Sequence, residues 1–134
     1  MTDETDPIEL DETLLRRIPN NPEFVNESLE LPVIRLAFKP QRLDTDGLSV
    51  FRELFTSAQE IVDQGTNVKG YYVAALSAGR VVEIAGPVIP DPLPAGPRGH
   101  SLIPSICVAT KDATSAEQLE LARLASENLV FRPK

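Results

Sequence analysis

The sequence has no tryptophan and few other aromatic residues, which together make up only 5% of its 134 residues. A length of this order predicts one domain, since domains have roughly 100–150 residues. Aliphatic side chains must therefore fill most of its core. No apolar run approaches the roughly 18–20 residues of a membrane-spanning helix. The N-terminus is acidic where a signal peptide would be basic, so we expect neither a secretory signal nor a membrane segment.

Cysteine and histidine occur once each, as Cys107 and His100. A single cysteine excludes an intrachain disulfide, which fits the reducing cytoplasm, and we expect a cytoplasmic protein. A zinc site needs several such ligands, and Asp44 and Asp46 lack the ligand series of a calcium loop. The sequence therefore predicts no metal and no cofactor. Cys107 lies in an apolar run and is predicted to be a buried small hydrophobic residue.

Basic residues are outnumbered by acidic ones, 13 against 20, which gives a formal net charge of −7. Residues 1–12 carry six of the acids and no base, so that the rest of the chain is close to neutral. This balance argues against non-specific nucleic-acid binding, which needs a cationic surface. We expect residues 1–12 to be a disordered acidic arm, or else a device that docks on a basic partner. If the arm is disordered, removing residues 1–11 leaves the melting temperature nearly unchanged.

The middle of the chain holds a strand-like segment followed by a helix-like one. Residues 31–38 alternate like a half-buried strand. Apolar residues then recur at helical spacing, which predicts one helix over residues 49–64, capped by Asp46 or Ser49. The alternative is a short strand over residues 48–51 and a later helix that begins with a capping box at Ser57.

The remaining elements complete an α+β prediction. The second main helix is expected over residues 115–128, with a capping box formed by Ser115 and Gln118. A short helix is expected over residues 78–85. We predict a small mixed or antiparallel sheet of about four strands, because helices and strands do not alternate regularly. Strand candidates, with alternatives in some cases, are residues 14–18 (or a helical turn), 71–76, 102–110 and 129–131.

Residues 86–104 form a Pro/Gly-rich loop within the single globular domain predicted for residues 13–134. Six of the twelve prolines lie there, and prolines remove backbone donors and restrict the residue before them. A long loop in a small domain is often functional. This loop contains His100, the one catalytic candidate, because histidine as a residue type can act as a general acid or base near neutral pH. A structural hydrogen bond is the competing interpretation.

Candidate contacts for a ligand or a partner are polar side chains in the first two thirds of the chain or in the loop. An arginine-rich and lysine-rich segment before a helix N-terminus is suited to receive an anion. The candidates are Arg16, Arg17, Lys39, Arg42, Asp46, Arg52, Arg98 and His100.

Three functions fit this sequence. The first expectation is a protein-interaction or accessory module without catalysis, in which the proline-rich loop or the acidic arm docks on another protein, with self-association left open. The second is a small enzyme that acts on a phosphate-bearing substrate, such as a nucleotide, NAD or RNA. The third is a passive ligand-binding domain. Convergence of His100 and two or more basic residues in one pocket would favour the enzyme, and scatter would count against it.

Overall fold

A computed structural model describes residues 3–133. Within these residues the chain forms six strands and three α-helices, and the fold is α+β. Two short 3-10 helices lie at Arg35–Phe38 and Val108–Thr110. The larger elements, in chain order, are β1 (Thr13–Pro19), β2 (Leu48–Arg52), α1 (Ala58–Asp63), β3 (Tyr71–Ser77), α2 (Ala78–Ala85), β4 (Ile89–Pro90), β5 (His100–Ile103), α3 (Ser115–Ser126) and β6 (Leu129–Phe131).

The strands form one antiparallel sheet in the order β4-β5-β2-β1-β3-β6. β1 lies near the middle and pairs with β3 along its whole length, from Thr13 to Pro19. It pairs with β2 only at Leu14 and Leu15. Beyond Leu15 the two strands part, and this separation leaves room for side chains between them.

Each face of the sheet carries a hydrophobic cluster, because successive side chains of a strand point to opposite faces. The larger cluster includes Leu14 and Val50 and is covered by α2 and α3. The smaller cluster contains Leu15 and Phe51 and is covered by α1, through the fully buried Ile61. β1 and β2 are thus buried on both faces, and the small cluster sits beside the polar residues described below.

The predicted helix over residues 49–64 is wrong, and the alternative of a short strand followed by a later helix is confirmed. The capping box of that alternative is only half formed, because the Glu60 carboxylate accepts from the Thr56 hydroxyl. β2 ends at Arg52, and α1 begins after Ser57, whose Oγ accepts a hydrogen bond from the Glu60 N–H at 3.1 Å. The helical spacing misled because Val50 and Phe51 are both buried, on opposite faces. A strand buried on both faces loses the alternation by which strands are recognised.

The predicted strand over residues 31–38 is also wrong. Val33 forms only an isolated bridge with Val25, and Arg35–Phe38 winds into a 3-10 helix that packs on α3. The predicted capping box of α3 is wrong too. Gln118 is buried, accepts a hydrogen bond from Arg35 and donates one to the Lys111 carbonyl, which ties the segment to α3.

Several other predictions are confirmed. α2 has the predicted bounds and is capped by Ser77, and α3 begins where expected and ends two residues early. Residues 14–18 lie in a strand, as one of the two alternatives stated, and residues 129–131 form β6. The sheet has six strands rather than about four because β2 and the two-residue β4 also pair in it, each with β5. Of the segment 102–110, only the start belongs to a strand.

Residues 3–12, within the segment for which an acidic arm is predicted, pack against the sheet. Arg52 is the reason. Its side chain is fully buried, and a buried guanidinium needs acceptors for its N–H groups. The arm supplies them as backbone carbonyls of Glu4 and Asp6 and as the carboxylate of Glu12. In the described part of the chain, no α-helix is long and apolar enough to cross a membrane.

Candidate functional site

A pocket of about 260 Å³ opens on the sheet face that carries Phe51, between the sheet, the end of α1 and the Pro/Gly-rich loop. We call it the His100 pocket. It brings together three of the residues singled out from the sequence, namely Arg16, Arg17 and His100. Its full lining is Arg16, Arg17, Ser49, Phe51, Gln64, Leu93, Gly96, Pro97 and His100.

His100 forms the centre of a hydrogen-bonded chain. Its Nδ1 lies 2.9 Å from the Asp91 carbonyl oxygen and 3.2 Å from Asp91 Oδ2, and its Nε2 lies 3.0 Å from Ser49 Oγ. A carbonyl oxygen can only accept, so Nδ1 carries a proton. In the neutral ring Nε2 is then the acceptor, and the Ser49 hydroxyl donates to it. The ring also meets Phe51 edge-on at a centroid distance of 5.4 Å.

The strand register explains why these side chains meet. His100 is the first residue of β5 and lies opposite Phe51 of β2, so Ser49, two residues away on β2, shares its face. Asp91 follows β4 and returns to His100, since its N–H donates to the His100 carbonyl at 2.9 Å. Gly99 allows the loop before β5 to lie close to the backbone of Arg52. It has φ +82°, and a Cβ there would lie 2.9 Å from the Arg52 carbonyl oxygen.

Arg16 fills the gap where β1 and β2 part. Its two terminal nitrogens donate to the carbonyls of Ser49, at 2.7 Å, and Ala37, at 2.8 Å, and its guanidinium lies 5.3 Å from the Phe38 ring centroid. Its Nε is buried and has no hydrogen-bond partner in residues 3–133. The pKa of Arg16 is lowered to about 10, chiefly by burial; Asp44 opposes this shift and the charge of Arg17 adds to it. The guanidinium is nevertheless a cation at neutral pH.

Arg17 lies beside it on the Phe51 face. Its guanidinium carbon is 5.0 Å from the Tyr71 ring centroid and 5.7 Å from that of Phe51, and it donates one hydrogen bond, to the Ile61 carbonyl at the end of α1. Neither Arg16 nor Arg17 has a carboxylate within 4 Å among residues 3–133. Two neighbouring, partly buried cations without a carboxylate within 4 Å form an environment that favours an anion.

A second pocket of about 240 Å³ shares Arg16 and Arg17 with the first and extends the basic lining to Lys39. Tyr71 and Asp44 also line it. Lys39 is therefore placed beside the two arginines, as one more cation along the same groove. Asp44 is the one carboxylate of this lining, and its Oδ2 accepts a hydrogen bond from the Gln41 N–H.

The other sequence candidates do not line the His100 pocket. Arg42 is exposed beside Lys39 in a separate surface groove, and Asp46 is exposed. The Arg98 side chain is 63% exposed and pairs with Glu4 at 3.2 Å. Arg52 is buried in its ion pair with Glu12 at 2.8 Å, and its N–H groups already have acceptors. Its position is that of a structural anchor.

A larger cavity, about 540 Å³, lies between the arm and β2 and has an acidic lining. Its one arginine is Arg52, which is already paired with Glu12. Within residues 3–133 no group of three or more His, Cys, Asp or Glu side chains is arranged to hold a metal ion. We therefore centre the site on the smaller His100 pocket. The cavity is lined by Asp6, Pro7, Glu9, Asp11, Glu12, Thr13, Arg52, Glu53 and Leu54.

Cys107 is half-buried rather than fully buried, at the start of the 3-10 helix Val108–Thr110. Hydrogen bonding with Thr110 lowers the pKa of its thiol. It does not line the His100 pocket.

Sequence reasoning missed Ser49 and Asp91 as site residues. The helical spacing of the apolar residues after Ser49 predicts that Ser49 or Asp46 caps a helix. Had β2 been recognised as a strand, Ser49 and Phe51 would have been placed on one face. The meeting of Ser49 with His100, 51 positions away, depends on strand pairing that local patterns do not reveal.

Comparisons of the chain with protein-family models, with curated proteins and with solved structures found no match.

Proposed function

We propose that this chain is a small enzyme that binds a phosphate-bearing substrate in the His100 pocket. The observation that carries the proposal is the convergence of His100 with Arg16 and Arg17 in one cavity. Such convergence is the feature that distinguishes the enzyme hypothesis from the interaction-module hypothesis. The adjoining pocket adds Lys39, so that the groove carries three permanent cations against the single carboxylate of Asp44.

The charge balance supports an anionic ligand. The fully buried Arg52 has its own carboxylate, whereas the partly buried Arg16 is held, within residues 3–133, by carbonyl oxygens and an aromatic ring. Burying a cation without a counter-ion is costly, and a phosphate oxygen at the pocket would relieve part of that cost. Guanidinium groups match phosphate oxygens in geometry as well as in charge. A passive binding site would need the arginines but not the His100–Ser49 pair.

A binding experiment tests the proposal. The probes are inorganic phosphate, AMP, NAD and a short single-stranded RNA, titrated by calorimetry into the wild-type chain and into Arg17→Met. Methionine keeps an apolar contact with Phe51 and Tyr71 but removes the charge. A charge-assisted hydrogen bond contributes about 1.5–3 kcal/mol, so the variant should bind the preferred probe about tenfold or more weakly.

The matched control is Arg80→Met. Arg80 is an exposed arginine of α2 that pairs with Glu83, and it has no place in the pocket. The control should bind like the wild type. If none of the four probes binds the wild type at millimolar concentration, or if both variants lose affinity equally, the pocket is not a phosphate site.

A protein-interaction module is the second candidate function, and it is supported by the tip of the Pro/Gly-rich loop. Residues 92–96 are exposed, and Leu93 presents an apolar side chain that is 41% exposed. Proline-rich segments lose little conformational entropy on binding. An affinity pull-down with the wild type and with a variant whose residues 92–96 are shortened tests this role. A stoichiometric protein partner that depends on the loop would support it, and recovery of nucleotide or RNA instead would favour the enzyme.

A further inference from the structure

We propose that Ser49 is the nucleophile of this site, activated by His100, and that the chain transfers or hydrolyses a phosphoryl group through a covalent phosphoserine. This inference rests on the proposed function, since it names the reaction of the same pocket. It stands on three residues in series: the Ser49 hydroxyl contacts His100 Nε2, and two oxygens of Asp91 contact His100 Nδ1.

Asp91 sets the tautomer of His100. The Asp91 carbonyl cannot donate, so it fixes the proton on Nδ1, and the carboxylate of the same residue reinforces that choice. Nε2 is left with its lone pair toward Ser49 Oγ at 3.0 Å, inside the range for proton transfer. Nucleophile, base and orienting acceptor thus stand in the order that an activated serine requires.

Ser49 is open to the cavity and is held in place by its backbone. Ser49 is half-buried and lines the cavity together with His100, whereas Ser101 is fully buried on the opposite face and donates to the Gly99 carbonyl. The backbone at Ser49 is held from the other side, because Arg16 donates to its carbonyl at 2.7 Å. The nucleophile is therefore carried by a strand with paired neighbours rather than by a loop, which keeps its position defined.

Charge stabilisation comes from Arg17. Attack on phosphorus spreads negative charge over the non-bridging oxygens, and cations fixed in advance lower that barrier. Arg17 lines the same pocket and has one hydrogen bond, to Ile61, among residues 3–133. A guanidinium has five N–H groups, so the others remain for phosphate oxygens.

The reaction balances without any further reagent except water. The Ser49 Oγ–H proton passes to His100 Nε2 while the Oγ–P bond forms and the bond from phosphorus to the leaving oxygen breaks. The leaving oxygen takes the proton from Nε2. In the second half, His100 accepts a proton from water, the water oxygen bonds to phosphorus, and the proton returns to Ser49 Oγ as the Oγ–P bond breaks.

Covalent labelling with a fluorophosphonate tests the inference without knowledge of the natural substrate. An activated serine forms an Oγ–P bond with this probe and releases fluoride, and the adduct is read by intact mass and located by peptide mapping. We expect a single adduct on Ser49, absent in Ser49→Ala. The His100→Gln variant should be labelled about 100-fold more slowly, the lower end of general-base effects. Circular dichroism establishes that each variant is folded.

Two further variants separate activation from mere exposure. Ser105→Ala removes an exposed serine outside the pocket and should be labelled at the wild-type rate. Asp91→Asn should slow labelling by less than His100→Gln does, because the Asp91 carbonyl still holds the Nδ1 proton.

The outcomes are distinct from those of the binding experiment. If folded wild type takes no label, or if Ser49 is labelled equally fast without His100, the nucleophile assignment is overturned even when phosphate binds. If phosphate-bearing probes fail to bind while Ser49 is labelled in a His100-dependent way, the proposed substrate class fails and the activated serine remains.

Discussion

The contact between the arm and Arg52 gives the sharpest prediction about stability. Arg52 donates five hydrogen bonds, which equals its number of N–H groups. Two of them go to the Glu12 carboxylate, at 2.8 Å each, and three go to backbone carbonyls of Glu4, Asp6 and Pro7. We choose Glu12→Gln as the perturbation, because it keeps the shape of the side chain and removes the charge.

The magnitude follows from burial. The Arg52 side chain is fully buried and that of Glu12 is 4% exposed, so water cannot replace the lost acceptor. A glutamine offers one oxygen and one NH₂ group, and the NH₂ group would face an arginine N–H as a second donor. Removing one partner of a buried ion pair costs about 3–5 kcal/mol. At about 3 °C per kcal/mol for a chain of this length, the melting temperature should fall by roughly 9–15 °C.

Urea and thermal unfolding followed by circular dichroism at pH 7 measure this loss. Glu9→Gln is the matched control, since Glu9 is exposed on the same arm and the substitution removes the same charge. It should stay within about 0.5 kcal/mol of the wild type. The double variant Glu12→Met/Arg52→Met should lose less than the two single variants added together, because no charge is left buried alone.

A loss below about 1 kcal/mol for Glu12→Gln, relative to Glu9→Gln, would refute the reasoning, since a buried and bidentate pair cannot be that weak when one partner is removed. Deletion of residues 1–11 tests the arm itself. It removes three carbonyl acceptors of Arg52, and the expected loss is about 2 kcal/mol or more, against the nearly unchanged stability that a disordered arm would give.

Three further predictions use the same unfolding assay. Gly99→Ala should destabilise more than Gly86→Ala, because both glycines have φ near +80° but only at Gly99 would the Cβ meet backbone, at 2.9 Å; the left-handed conformation alone costs about 1–2 kcal/mol. Leu121→Ala empties a fully buried position of α3 and should cost about 2–5 kcal/mol, whereas Leu119→Ala, 40% exposed on the same helix, should cost much less. Burial raises the pKa of Glu12, but hydrogen bonds from Arg52 and from the Glu9 N–H and the Arg52 charge together bring it below its usual 4.5. The stability that this pair contributes is therefore present above about pH 4.5 and is lost as the pH falls further, more steeply in the wild type than in Glu12→Gln.

The sequence predicted those elements whose local chemistry and tertiary position agree. α2 carries a serine cap, an apolar stripe and a terminating glycine, and it forms with the predicted bounds. β2 failed for a physical reason, since its residues Val50 and Phe51 face two different cores and so present no alternation. The 3-10 helix at Arg35–Phe38 failed in the opposite way, because contacts with α3 override the strand propensity of its apolar residues.

The site could be predicted only in part. Arg16, Arg17 and His100 stood out by residue type, and the structure places all three around one pocket. Nothing in the sequence distinguishes them from Arg52, which is an equal candidate by residue type. In the structure, Arg52 forms its ion pair with Glu12 of the arm. Arg52 differs from Arg16 and Arg17 in having a carboxylate partner. That partner, Glu12, lies 40 positions from Arg52 along the chain, so local sequence does not reveal the pair.

The arm contacts Gly99, the residue that directly precedes the pocket residue His100. Glu4 accepts a hydrogen bond from the Gly99 N–H at 2.7 Å and pairs with Arg98. Both partners lie within two residues of His100. The Gly99 carbonyl in turn accepts from the Arg52 N–H, at the end of the strand that carries Ser49. The residues that hold the arm thus also hold the loop that presents His100. Disturbing the arm should therefore affect labelling of Ser49 as well as stability, whereas a solvated tail would leave both unchanged.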